Sequence, residues 1–229
     1  MRNPIYEPKG AAREYGELAL NIYTGCPMRC PYCFAPQVLH MNRETFHTRI
    51  EPRPGIVDAV REQLERTGMT GKTVHLCFTC DPFPYRYDCT PTLDIIRLLK
   101  ERGNHVQILT KSDGKPCFDL LDENDWYGVS FDGTGGMIRF SDVADARRRG
   151  IKTWASFEPT LNPEMVLDVI KWERDKLDAV KIGKLNYRKP PRPIDWAAFG
   201  RDAEALCQEL GLNYYIKDSL RKEMDSAKR

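Results

Sequence analysis

The sequence predicts an α/β protein built as an open, partial (β/α)6 barrel of the TIM type, and three observations carry that reading. β-rich stretches alternate with helix-patterned ones along most of the chain, which argues for a parallel sheet with right-handed crossovers. Six strand–helix units can be placed. A complete eight-unit barrel takes ~250 residues, so six units plus one long first loop fit 229 residues better. A doubly wound sheet is the alternative, and alternation alone does not separate the two. In either architecture the active site lies at the C-terminal ends of the strands.

Residues 1–17 are polar, with Pro4, Pro8 and Gly10, and are expected to extend over the surface. The barrel core is expected over 18–218, with a tail over 219–229. Leu18–Tyr23 reads as the first strand. Thr24–Gly55 is irregular, with three cysteines and several prolines. Ile56, Val57, Val60 and Leu64 share one face of a helix ending near Gly68. The second unit is the strand Thr73–Phe78, a Pro-broken loop Asp81–Pro84, and the helix Pro91–Arg102. Pro91 suits the first turn, and Gly103 lies past the end. His105–Thr110 is the third strand, followed by a short helix near Phe118–Leu121. Tyr127–Phe131 is the fourth, with the helix Asp142–Arg149 after Ser141, a residue suited to capping. Thr153–Phe157 precedes the helix Pro163–Trp172. Ala179–Ile182 is the sixth strand. Phe199, Ala203, Leu206, Cys207 and Leu210 stripe the last helix, Trp196–Leu210, and the apolar piece Tyr214–Ile216 closes the chain.

Charge and composition narrow the function. Lys and Arg number 35 against 33 Asp and Glu, a net charge of +2. That balance excludes a polycationic nucleic-acid binder while leaving room for a local basic groove. The apolar runs are far short of the ~18 residues of a membrane span, and no apolar stretch follows the N-terminus as in a signal peptide. A cytoplasmic protein with no membrane partner is expected. In that reducing compartment, eight cysteines suggest metal ligands or reactive thiols before disulfides.

The strongest signal is Cys26-Pro-Met-Arg-Cys30-Pro-Tyr-Cys33, directly after the first strand. Spacings of four and three let a short loop wrap one compact metal centre. Three thiolates suit a [4Fe–4S] cube with one iron left open, and an open position is what catalysis needs. A zinc clip on a non-catalytic binding module is the competing reading. It needs a fourth ligand, for which His40 or His47 would serve.

With Tyr32 just before the third cysteine, this C-x3-C-x2-C segment resembles the signature of the radical S-adenosylmethionine superfamily. The resemblance implies that Cys26, Cys30 and Cys33 hold the cluster and that its open iron is chelated by S-adenosylmethionine. Reductive cleavage of that cofactor gives a 5′-deoxyadenosyl radical, which abstracts hydrogen from a substrate. The cofactor carries the hard chemistry, and a flavodoxin- or ferredoxin-like electron donor is implied. Asn21–Cys26, Cys33-Phe-Ala35, Thr79-Cys-Asp-Pro82, Leu109-Thr-Lys-Ser112 and Val129-Ser130 are similar to the spore photolyase-related branch. Spore photolyase reverses a thymine dimer, so a nucleic-acid base or nucleotide substrate and lyase or repair chemistry are implied. A peptide or small metabolite stays open.

Lys111 matches the lysine that contacts the S-adenosylmethionine carboxylate, and a cation at a strand end suits that role. Ser130 matches a serine of the same pocket. Asp81 matches an aspartate able to accept from the amino group or to orient the loop, and Tyr32 and Thr79 complete the expected cofactor set. The branch places a hydrogen-returning thiol three residues before that aspartate. Here that position is Phe78, flanked by Cys77 and Cys80, on opposite faces if the strand stays regular. Either thiol could return hydrogen, or both could be small buried packing residues.

Other features carry less. Asp132–Gly136 is Gly-rich but matches neither dinucleotide nor phosphate loops. Tyr85 and Arg86 lie in an aromatic run with a cation, where bases can stack. Arg188 and Arg192 follow the sixth strand and could meet phosphates. Arg147–Arg149 is better explained as a cationic helix end. Glu158 closes the fifth strand and could bind ribose hydroxyls or substrate.

Overall fold

The computed structural model describes residues 3–134, 139–190 and 192–226. Its seven-stranded sheet has the order β1 (Leu18–Leu20), β4 (Thr73–Leu76), β5 (His105–Thr110), β6 (Trp126–Ser130), β7 (Lys152–Thr160), β8 (Ala179–Lys184) and β9 (Asn213–Ile216). β2 (Tyr23–Thr24) and β3 (Glu51–Pro52) form a separate antiparallel pair. The pairs β1–β4, β4–β5, β7–β8 and β8–β9 are parallel. Each sheet strand adds beyond the one before it. A doubly wound sheet reverses at a switch point; this order never reverses, which decides for the barrel-type succession. The sheet also has one strand more than the six expected. Tyr214–Ile216 belongs to β9, in register with β8 from Ala179↔Asn213 to Ile182↔Ile216. Among the described residues no helix is long and apolar enough to cross a membrane.

Contacts divide the chain into two compact units, Met1–Trp126 and Tyr127–Arg229. The first contains β1 to β5, α1 (Ala35–Val38), α2 (Arg43–Thr48), α3 (Ile56–Thr67) and α4 (Thr90–Glu101). α3 buries Ile56, Ala59, Val60, Gln63 and Leu64, the stripe expected of an amphipathic helix. The segment expected to run over the surface is pinned instead. Ile5 is buried, and the Gln63 amide meets its N–H and C=O at 2.9 Å each. Buried backbone groups need such partners.

Two expected strands stop early, and one residue explains both. β1 ends at Leu20, three residues short of Tyr23. Asn21 then turns its side chain into a backbone substitute: Oδ1 accepts from the N–H groups of Phe78 and Thr79 at 2.8 and 2.9 Å. β4 ends at Leu76, and Cys77 takes a left-handed conformation with φ 72°. The region read as wholly irregular also holds two short helices, α1 and α2.

The second unit holds β7 to β9, α5 (Phe140–Arg148), α6 (Pro163–Glu173), α7 (Trp196–Glu209) and α8 (Asp218–Ser226). Ser141 is not the cap of α5. The helix starts two residues earlier than expected, at Phe140, with Arg139 in the cap position, and Ser141 sits in its first turn. α7 is capped by Asp195, whose Oδ1 accepts from Ala198 N–H at 2.8 Å. Residues expected as a tail form α8, which buries Leu220 and Met224. A Cβ on Gly200 would stand 2.6 Å from the Met224 sulfur, so glycine there lets α8 close on α7.

Candidate active site

The site of the first unit is assembled around the cysteine loop. Gly25 opens it with φ 87°, and a Cβ there would lie 2.3 Å from the Arg49 carbonyl, so only glycine fits. Cys26 N–H donates to the Phe46 carbonyl at 3.0 Å, and His47 Nδ1 lies 2.8 Å from the Cys26 carbonyl. Cys33 N–H closes a turn onto Cys30 O at 3.0 Å. The Arg43 guanidinium reaches the carbonyls of Cys30, Pro31 and Cys33. α2 therefore holds the loop at both ends. Its own start is capped by Asn42 Oδ1, which accepts from Glu44 and Thr45 N–H at 2.9 and 3.1 Å.

Cys26, Cys30 and Cys33 are all half-buried. Burial, then the nearby Asp81 charge, push the Cys26 thiol well above its usual range. Such a thiol ionises when a cation takes the place of its proton. Among the described residues, the three sulfurs do not all lie within 4.8 Å of one another. Thiolates sharing one tetrahedral zinc at ~2.3 Å would be ~3.8 Å apart. A closed zinc site would need a fourth ligand beside these three, whereas three thiolates suit a sulfur-ligated cluster with one iron open.

Asp81 is buried at the end of the β4 loop. Its Oδ1 accepts from Phe83 N–H at 2.9 Å and the Thr110 hydroxyl at 2.6 Å, and Oδ2 from Lys111 N–H at 2.8 Å. Burial raises its pKa in spite of those donors. Asp81 thus ties the loop after β4 to the end of β5 and fixes where Lys111 leaves the strand. The Lys111 ammonium stands 5.8 Å from the centre of the Tyr32 ring, so two expected cofactor residues from distant segments meet beside the cysteine loop. The hydroxyl of a third, Thr79, is buried without a hydrogen-bond partner. A polar group brought by a ligand would satisfy it.

The thiols of Cys77 and Cys80 are not split across two strand faces, because the strand ends before them. They are close enough to influence each other's ionisation and form a second Cys-x2-Cys spacing. Burial drives the Cys77 thiol up. On Cys80 burial is outweighed by the Cys77 thiol and by backbone N–H groups, and its pKa falls. Cys77 is the more deeply buried member. Nearby, Tyr85 is 53% exposed, with the Arg86 guanidinium 5.0 Å over its ring.

The second unit carries the remaining expected residues. Ser130 ends β6, half-buried. Glu158 pairs at 3.1 Å with Lys217, which is only 1% exposed, and Asn186 Nδ2 lies 3.4 Å from Glu158 Oε1. Arg188 and Arg192 are exposed. Thr134 folds back onto Asp132 through its N–H and hydroxyl at 3.0 and 2.6 Å; Gly135 and Gly136 lie outside the described residues.

Sequence reasoning passed over Arg43, which sits ten residues beyond the motif in a stretch read as loop; a cation just after a cysteine cluster was the one available signal. It also passed over His105, Asp122 and Asp125, whose ligand atoms lie within 4.8 Å of one another. The Lys100 ammonium already neutralises those two aspartates.

A family model of the Radical SAM superfamily matches residues 20–183. No curated protein sequence matches the chain. Among solved structures, a spore photoproduct lyase variant with bound AdoMet and dinucleoside spore photoproduct superposes with a TM-score of 0.68 at 12% identity, covering 94% of this chain and 79% of that one. A second lyase variant gives 0.69 at the same identity and coverages. SuiB of Streptococcus suis gives 0.63 at 15% identity, over 86% of this chain and 49% of that one. These likenesses concern the fold, a partial TIM-type barrel.

Proposed function

The chain belongs to the radical SAM superfamily, and from that premise we propose that Cys26, Cys30 and Cys33 hold a [4Fe–4S] cluster in an enzyme acting on a nucleic-acid base or nucleotide. Membership implies an iron–sulfur cluster, S-adenosylmethionine and a reductant; the cluster type and the substrate are the proposal. When bound and reduced, these groups supply a 5′-deoxyadenosyl radical that removes hydrogen from the substrate. The observation that carries the reading is the gathering of three cysteines on one short loop whose backbone is anchored by α2.

The chain's own residues position and protect that chemistry. The Lys111 ammonium, directed by Asp81, meets the cofactor carboxylate as a charge-assisted donor. The buried Thr79 hydroxyl takes a polar atom of the same cofactor. Tyr32, Ser130 and Glu158 complete the cofactor set. Cys77, the more deeply buried of the two thiols, returns a hydrogen atom to the product radical, with Cys80 as its neighbour. The exposed Tyr85 ring and Arg86 offer a base a stacking surface, and Arg188 and Arg192 meet phosphates. Carbon–carbon bond cleavage of the spore photolyase type is the reaction class these roles suit.

Anaerobic reconstitution tests the cofactor half. About four irons and four sulfides per chain, with 5′-deoxyadenosine formed only in the presence of a reductant, is the expected result. Stoichiometric zinc with intact S-adenosylmethionine would overturn it. Deuterium moving from a labelled dinucleotide into 5′-deoxyadenosine tests the substrate half. Transfer only from a peptide or a small metabolite would remove the nucleotide and leave the cluster assignment standing.

A further inference from the structure

Arg43 has a chemistry that the proposed function does not use. Its guanidinium donates to Cys30 O at 2.6 Å, Pro31 O at 2.8 Å and Cys33 O at 3.2 Å. One planar fork thus gathers three consecutive-turn carbonyls between the second and third thiols. Cys30 O also accepts the Cys33 N–H, so the guanidinium and the turn share an acceptor. Arg29, inside the same loop, behaves differently. It is neutralised by the Glu44 carboxylate through bonds of 3.0 and 2.9 Å, and both side chains are more than half exposed. Arg43 meets neutral carbonyls instead, and its positive charge stays uncompensated by them.

Two consequences follow from that geometry. Three converging carbonyl dipoles need a donor with several N–H groups in one plane, which arginine has and lysine lacks. A positive charge beside an iron–sulfur group stabilises its more negative, reduced form.

We propose that Arg43 is the positioning residue of the cysteine loop: it fixes the turn joining Cys30 to Cys33 and keeps a positive charge beside the group those thiols hold, raising its reduction potential. The redox half rests on the cluster reading above. The positioning half concerns the polypeptide alone.

The test uses the full chain with Arg43→Gln, Arg43→Lys and, as a control, Arg29→Gln. Hydrogen exchange is read before reconstitution. Both Arg43 variants are expected to speed exchange of the Cys33 amide about tenfold or more, and Arg29→Gln to leave it unchanged. Dithionite titration followed by electron paramagnetic resonance is read after reconstitution. Arg43→Gln is expected to lower the ratio of reduced to oxidised cluster at a fixed potential roughly tenfold, ~59 mV for a one-electron couple. Arg43→Lys keeps the charge and is expected to stay near the wild-type midpoint. Wild-type exchange in Arg43→Lys overturns the positioning role, and this arm stands even if the glutamine variant does not fold. A midpoint unchanged in Arg43→Gln, or lowered equally in Arg43→Lys, overturns the charge role. If the wild-type chain takes up no iron, the cluster reading fails while the exchange arm still decides the positioning role.

Discussion

Lys111 and the Cys77–Cys80 pair show how far single residues can be read. Lys111 was legible because it follows a strand and matches a motif. Its approach to Tyr32 was not, since the two are far apart in sequence, and Asp81 fixes where Lys111 leaves the strand. That geometry gives a direct prediction. Lys111→Ala removes the cation but leaves Asp81 its backbone donor, so S-adenosylmethionine affinity should fall about tenfold or more, the scale of a charged hydrogen bond. Iron content should hold; equal loss of both would mark the lysine as structural. The opposite-face placement of the cysteine pair was conditional on a regular strand, and the condition is not met: the strand ends at Leu76 and Cys77 is left-handed. With Cys77 the more deeply buried of the two thiols, Cys77→Ala should still form 5′-deoxyadenosine but release aberrant product. Cys80→Ala should alter the product less. The reverse ranking, read by product chromatography, would move the hydrogen donor to Cys80.

Helices with one apolar stripe were readable because their burial is periodic. α3, α4, α6 and α7 lie within a few residues of their expected bounds. Elements set by a distant side chain were not readable: the ends of β1 and β4 depend on Asn21. A second distant tie joins α4 to the start of β5. The Lys100 ammonium bonds Asp122 and Asp125 at 2.6 and 2.5 Å, while Asp125 Oδ1 accepts from Val106 N–H at 2.8 Å. Burial pulls the Lys100 pKa down, but the two carboxylates outweigh it and the net shift is upward. The hydrogen bond from Lys100 lowers that of Asp122. A raised lysine stabilises below its unfolded value of ~10.4, and a depressed aspartate above its unfolded ~3.9. The tie should therefore act fully between those limits. It should fade as pH falls through the lower folded value of Asp122 or rises through the higher folded value of Lys100. Lys100→Met leaves Asp125 buried without its cation and should cost roughly 3 kcal/mol in urea unfolding at neutral pH. Adding Asp125→Asn should recover much of that loss, and a flat difference across the whole pH range would refute the ion-pair origin.

At the scale of the molecule, alternation made the α/β class legible, but the order of strands was not, because pairing partners leave no mark on periodicity. Charge is likewise legible only as a sum. A net +2 conceals how the positive charges are distributed, and the structure shows many of them already answered. Arg29, Arg49, Arg97, Arg147, Arg148 and Arg221 each pair with a carboxylate. Pairing removes these six from the cations a phosphate could meet. If the substrate is a nucleotide chain, Arg188 and Arg192 are the exposed cations best placed after β8 to meet it. Each phosphate contact on a single strand contributes a slope of ~0.7 in log K against log salt, so two contacts give about −1.4. The measurement is titration of a short single-stranded oligonucleotide at several salt concentrations, on wild type and on the double variant Arg188→Gln, Arg192→Gln. The expected outcome is a shallow slope near that value, flattened close to zero in the double variant, and no steeper for a longer strand. A slope of about −5 or beyond would demand a basic face elsewhere on the chain, and an unchanged slope in the double variant would remove these two arginines from the substrate site.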